Sequence, residues 1–75
     1  MISPSEVRAV VEGGIVIEDY PDDRRGHSCL LLGRGLEGRA IHVVCAPRED
    51  YLAIITAYLP SPDEWDKDLT VRRKP

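Results

Sequence analysis

Two apolar runs dominate the chain: Ser28 to Gly33, reading SCLLLG, and Arg39 to Ala46, reading RAIHVVCA. The second has no helical stripe and lies between Gly38 and Pro47, which is the signature of a strand. Period two puts Ile41, Val43 and Cys45 on one face and His42, Val44 and Ala46 on the other. Both faces are largely apolar, so this strand belongs in the middle of a sheet. Arg34 to Gly38, with its two glycines, folds the first run back antiparallel onto the second. The pattern does not fix the register of this hairpin.

The remaining elements follow from the same reading. Ser3, Pro4 and Glu6 predict a helix start with a capping box, and Ile2 and Val7 have the spacing of a hydrophobic staple. Val7, Val10 and Val11 form the buried stripe of a helix that ends at Gly13 and Gly14, where a left-handed residue is expected to close it. Ile15 to Asp19 reads as a first strand, with Ile15 and Ile17 on one face and Val16 and Glu18 on the other. A turn at Tyr20 to Asp23 and a loop through His27 lead to the hairpin. Leu52 to Leu59 is a fourth strand, with Leu52, Ile54, Thr56 and Tyr58 on one face and Ala53, Ile55, Ala57 and Leu59 on the other, stopped by Pro60 and Pro62. Ser61-Pro62-Asp63-Glu64-Trp65 predicts one helical turn, with Trp65 folded back on the sheet edge.

The expected fold is α+β: one N-terminal helix packed on a four-stranded antiparallel meander, with a short helical turn near the C-terminus. Residues 1–68 form a single domain and residues 69–75, with Arg72, Arg73 and Lys74, a flexible basic tail. One short helix covers only part of one face, and the chain shows no further element to cover the rest. Pairing through the sheet, as a homodimer or small homo-oligomer or with another protein, is therefore expected.

Composition narrows the function. At 75 residues the chain is near the size at which one core is barely sufficient, which favours association. No apolar run approaches the roughly 20 residues of a membrane helix, and Met1 to Glu6 lacks the features of a secretory signal, so a cytoplasmic location without a membrane is expected. A net charge of −3 argues against a general nucleic-acid binder but leaves room for a local basic patch. Cys29 and Cys45 lie inside apolar strands; opposite one another they would approach closely, yet a structural disulfide is not expected in a reducing compartment.

Glu18-Asp19-Tyr20-Pro21-Asp22-Asp23, Ser28 to Gly33, Gly38-Arg39 with Ile41 to Val44, and Ile54 to Tyr58 before Pro62-Asp63 and Trp65 together resemble a bacterial family, domain of unknown function 4258. The resemblance runs from Ser3 to about Trp65. Members usually begin with an additional helix rich in His and Arg before the Ile-Ser-Pro segment, where this sequence starts; either the start is a truncation or the protein has lost that helix. Such proteins are distantly similar to RelE/ParE-type toxins of toxin-antitoxin systems, some of which cut messenger RNA and others of which poison gyrase. That likeness concerns the fold and implies little chemistry. The family offers no established catalytic motif.

Two functions of different kinds follow. The first is a toxin-like-fold interaction module that self-associates or binds a partner, such as an antitoxin-like protein, through its sheet. The alternative is a metal-independent endoribonuclease of RelE type, which needs a base for the ribose 2′-hydroxyl, an acid for the leaving oxygen and cations around the phosphate. His42 and Tyr58 are the candidate catalytic groups, and Arg34 and Arg39, flanking the hairpin connection, the candidate RNA- or phosphate-binding groups; His27 is a weaker choice of the same type. The plain structural alternatives are a satisfied histidine in the sheet for His42 and a packing tyrosine with its hydroxyl at the rim for Tyr58. Arg24 and Arg25 are expected to pair with neighbouring aspartates rather than phosphate. No metal and no cofactor is expected. His27 with Asp22 and Asp23 lacks a regular ligand spacing, Gly33-Arg34-Gly35 lacks the lysine and helix of a phosphate loop, and an apolar strand is the wrong place for a nucleophilic Cys45. Whether the protein is an enzyme stays open at this level.

Overall fold

Ser3 has extended backbone, its hydroxyl accepts from the Glu6 amide, and the Glu6 carboxylate accepts from the Ser3 amide. With Pro4 at the first helical position, this capping box starts α1, Pro4–Gly13, as predicted. The computed structural model describes residues 1–73. Four strands follow the helix: β1 Ile15–Tyr20, β2 Ser28–Arg34, β3 Ala40–Pro47 and β4 Leu52–Tyr58. They lie in chain order, each antiparallel to the next, so the α+β meander is confirmed.

The helix ends differently from expectation. Gly14 is extended, at φ −80° and ψ 176°, and its N–H donates to the Val10 carbonyl at 2.7 Å. What requires glycine there is crowding, because a Cβ would stand 2.5 Å from the Val10 oxygen and 2.7 Å from that of Leu32. Gly33 in β2 has the same duty, since its Cβ would lie 2.9 Å from the Val10 Cα. These two glycines let α1 settle directly on the central strands. Left-handed backbone occurs instead in the β2–β3 connection, a 3-10 turn over Leu36–Gly38, where Glu37 has φ 57° and Gly38 φ 75°.

The hairpin register sets Cys29 opposite Cys45, Leu31 opposite Val43 and Leu32 opposite His42. Val10, Leu31, Ile41, Val43 and Cys45 form the core beneath the helix, joined by Ile2, Val7, Val11, Cys29 and Ala57. Two bulges break the simple alternation. In β1, Ile15 is opposite Leu32 and Val16 opposite Leu31, but Glu18 is opposite Leu30, so Ile17 is the extra residue. Paired residues share a face, so Glu18 lies with Ile15 and not, as alternation predicts, with Val16. In β4, Thr56 is opposite Val44 and Ile54 opposite Cys45, which turns Ile54 to the helix side, away from Thr56 and Tyr58.

The second face also departs from expectation, because the chain does supply a cover for it. After β4 a turn forms on the Ser61 carbonyl, which accepts from the Glu64 and Trp65 amides at 3.0 and 3.1 Å. It aims Trp65 into the sheet, where the indole is buried edge-on against His42; Leu30 and Ala46 are buried as well. The segment expected to be a flexible tail runs back alongside: Trp65 bridges to Arg72, the Asp66 amide donates to the Val71 carbonyl and the Arg73 amide to that of Glu64, both at 2.8 Å. One large aromatic ring covers the middle of this face, while Ile15 at its β1 edge stays 58% exposed. Lys74, the last charge of the expected tail, lies outside the described residues.

Candidate functional site

Beneath this C-terminal segment the sheet gathers a cluster of titratable side chains. His42 comes from the middle of β3 and is 0% exposed. Its Nε2 lies 2.8 Å from the Leu69 carbonyl, which only accepts, so Nε2 carries the proton. In the neutral ring Nδ1 is then the acceptor for the Tyr58 hydroxyl, 3.1 Å away on the paired position of β4. The imidazole meets Tyr58 and Trp65 edge to face, with ring centroids 5.2 and 4.4 Å apart. Burial pushes the His42 pKa below its ordinary value, which favours the neutral ring.

The β1 bulge brings Glu18 to the same cluster. Its carboxylate accepts from Arg72 Nε at 3.1 Å and Nη2 at 3.2 Å, and from the Tyr20 hydroxyl. Burial works to raise the Glu18 pKa, but hydrogen bonds from Tyr20 and Arg72 outweigh it and hold the carboxyl below its ordinary range. Burial and the Glu18 carboxylate raise Tyr20. The Arg72 guanidinium also lies over the Trp65 ring, 4.7 Å from its centroid. Glu18, Tyr20, His42, Tyr58, Trp65 and Arg72 thus form one connected group. It contains a base, hydroxyl acids and a cation, each already holding a partner inside the molecule.

Of the predicted site residues, His42 and Tyr58 are brought together, whereas Arg34 and Arg39 are engaged separately. Arg39 grips the buried Glu6 carboxylate, with Nη2 2.8 Å from Oε1 and Nε 3.0 Å from Oε2, and also reaches the Met1 carbonyl at 2.5 Å. Glu6 accepts from the Leu36 amide as well, at 2.8 Å. The Arg39 guanidinium and the backbone amides of Ser3 and Leu36 hold Glu6 well below the usual carboxylate range. Arg39 therefore ties the hairpin connection to the helix start. Arg34 is exposed and reaches the Gly38 carbonyl at 3.4 Å.

In the loop before β2, His27 turns to Asp19 at 2.5 Å, while Asp23 takes Arg25 at 3.0 Å and the Ser28 hydroxyl at 2.7 Å, so His27 and Asp23 face different partners. Cys45 is buried, and burial followed by the neighbouring Cys29 pushes its thiol up to about 11, so that it is almost wholly protonated and a slow nucleophile at neutral pH. Sequence reasoning missed Glu18, Tyr20 and Arg72 as members of the cluster. Strict alternation turned Glu18 the wrong way, and no local signal linked Arg72 to a strand 54 positions earlier.

Among the described residues no helix is long and apolar enough to cross a membrane. No curated protein and no solved structure matches the chain. The sequence profile described as domain of unknown function (DUF4258) matches residues 1–59, which include α1 with its capping box and all four strands and so Glu18, Tyr20, His42 and Tyr58; the chain belongs to this family.

Proposed function

We propose that the protein is a small interaction module that self-associates, or binds a partner protein, through the helix-side margins of its sheet. The supporting observation is the narrowness of the cover on that side. Helix α1 packs on β2 and β3, while Val16 on β1 and Leu52 and Ile54 on β4 remain 58%, 38% and 45% exposed. Tyr51, next to Leu52 in the chain, is exposed too. About half of each of these side chains is left to bury, worth roughly 1 kcal/mol apiece to a second molecule that covers both margins. Sedimentation equilibrium across micromolar concentrations is expected to show a dimer for the wild type and a monomer for an Ile54→Asp, Val16→Asp double variant. A wild type monomeric over the whole range overturns self-association.

The second reading, a metal-independent endoribonuclease of RelE type with RNA as its substrate, is favoured by the convergence of Glu18, Tyr20, His42, Tyr58 and Arg72 on the opposite face. In this reading segment 65–73 lifts to free His42 and Arg72 for the ribose and phosphate. Its test is cleavage of a structured RNA in the presence of a chelator. Cleavage by the wild type that is lost in folded Glu18→Gln and His42→Gln variants supports it, and intact RNA with all three rejects it.

A further inference from the structure

Cys29 and Cys45 occupy directly opposed positions on β2 and β3 and are free thiols, with their sulfurs 3.6 Å apart. Opposed residues of an antiparallel pair have Cα atoms about 4.5–5.5 Å apart, inside the range of roughly 4.4–6.8 Å that a disulfide spans. Closing the sulfurs to about 2.05 Å therefore needs side-chain rotation and no movement of the strands. The two thiols also differ in access. Cys45 is buried under α1, whereas Cys29 is half-buried and is flanked on the outer strand by the exposed Asp19.

We propose that Cys29 and Cys45 are a redox-convertible pair, in which a peroxide oxidises Cys29 and Cys45 resolves it to an intramolecular cross-strand disulfide. The Cys29 thiolate attacks one oxygen of hydrogen peroxide; the S–O bond forms, the O–O bond breaks, and the released hydroxide takes up the thiol proton as water. Cys45 then loses its proton and attacks the Cys29 sulfur; the S–S bond forms, the S–O bond breaks, and a second water leaves. Two thiols give up two electrons and two protons, and the peroxide is reduced to water. Burial of Cys45 makes the second step slow at neutral pH and faster as pH rises. The product lies within the core beneath the helix, because both cysteines pack there.

The test treats the reduced, native full chain with hydrogen peroxide, then denatures it, alkylates with a maleimide and measures intact mass. Both thiols are expected to disappear together, with loss of two hydrogens, a Cys29–Cys45 cross-linked peptide after digestion, and full recovery on adding a dithiol reductant. Cys29→Ser and Cys45→Ala variants, checked for folding by circular dichroism, are expected to form no intramolecular bond. Three results overturn the proposal: both thiols remain alkylatable under peroxide that oxidises free cysteine, Cys29 gains two oxygens while Cys45 stays free, or the cross-link joins two chains.

Discussion

Glu6 shows how one side chain can serve three roles. It caps α1, holds the Leu36 amide of the hairpin connection, and receives the Arg39 fork, so the start of the helix and the β2–β3 turn share one carboxylate. Its folded pKa is depressed, so its contribution is present above the ordinary value of 4.5 and is lost as pH falls below it toward the folded value. Cys45 has the opposite sign. Its contribution is complete below the ordinary value of 9.0 and is lost as pH rises toward about 11. Tyr20 and Tyr58, both raised chiefly by burial, add to the alkaline limb. Urea unfolding across pH is expected to show stability falling at both ends, with the acid slope shallower in Glu6→Gln and the alkaline slope shallower in Cys45→Ala. Unchanged slopes in the variants would place the titration elsewhere. The capping role of Glu6 was legible in Ser3-Pro4-Ser5-Glu6, but its hold on Arg39 was not, because a local motif carries no information about a partner 33 positions away.

At the level of elements, the C-terminal segment acts as a strap whose weight is concentrated in Trp65. This side chain is 2% exposed and fills the face of the sheet over His42. Trp65→Ala is expected to destabilise the fold by about 3–5 kcal/mol, as for other buried aromatic truncations. Arg72→Ala, which removes an ion pair exposed on its arginine side together with the cation–π contact over Trp65, is expected to cost less, about 1–2 kcal/mol. Urea unfolding monitored by circular dichroism separates the two, and similar losses for both variants would mean that the ion pair and not the indole holds the strap. Proline-bounded turn chemistry at Ser61 to Trp65 made the turn and the return of the indole legible, though the expected seat was the sheet edge and the observed one is His42 on an interior strand. The return of residues 69–73 was not, since Leu69 and Val71 are too short an alternation to mark a strand and the cluster of Arg72, Arg73 and Lys74 reads as a solvated end.

For the molecule as a whole, the strands and their order were legible because each apolar run is bounded by Gly, Pro or Asp, and chain-order pairing is the default for short connections. The register was not, and neither were the two bulges at Ile17 and Ile55, since a single extra residue leaves the run of apolar side chains intact while reversing the face of everything beyond it. That reversal separates the expected chemistry from the observed cluster: it puts Glu18, with Tyr20, on the face of His42 and Arg72, and turns Ile54 toward the helix. Trp65 carries a further consequence. It is the single tryptophan of the chain and lies edge-on against an imidazole, so its fluorescence reports on this face alone. An indole that leaves an apolar seat for water shifts its emission to longer wavelength. Whatever displaces the strap, whether an RNA, a protein or a proton on His42, therefore announces itself in the colour of the protein's own light, without a label.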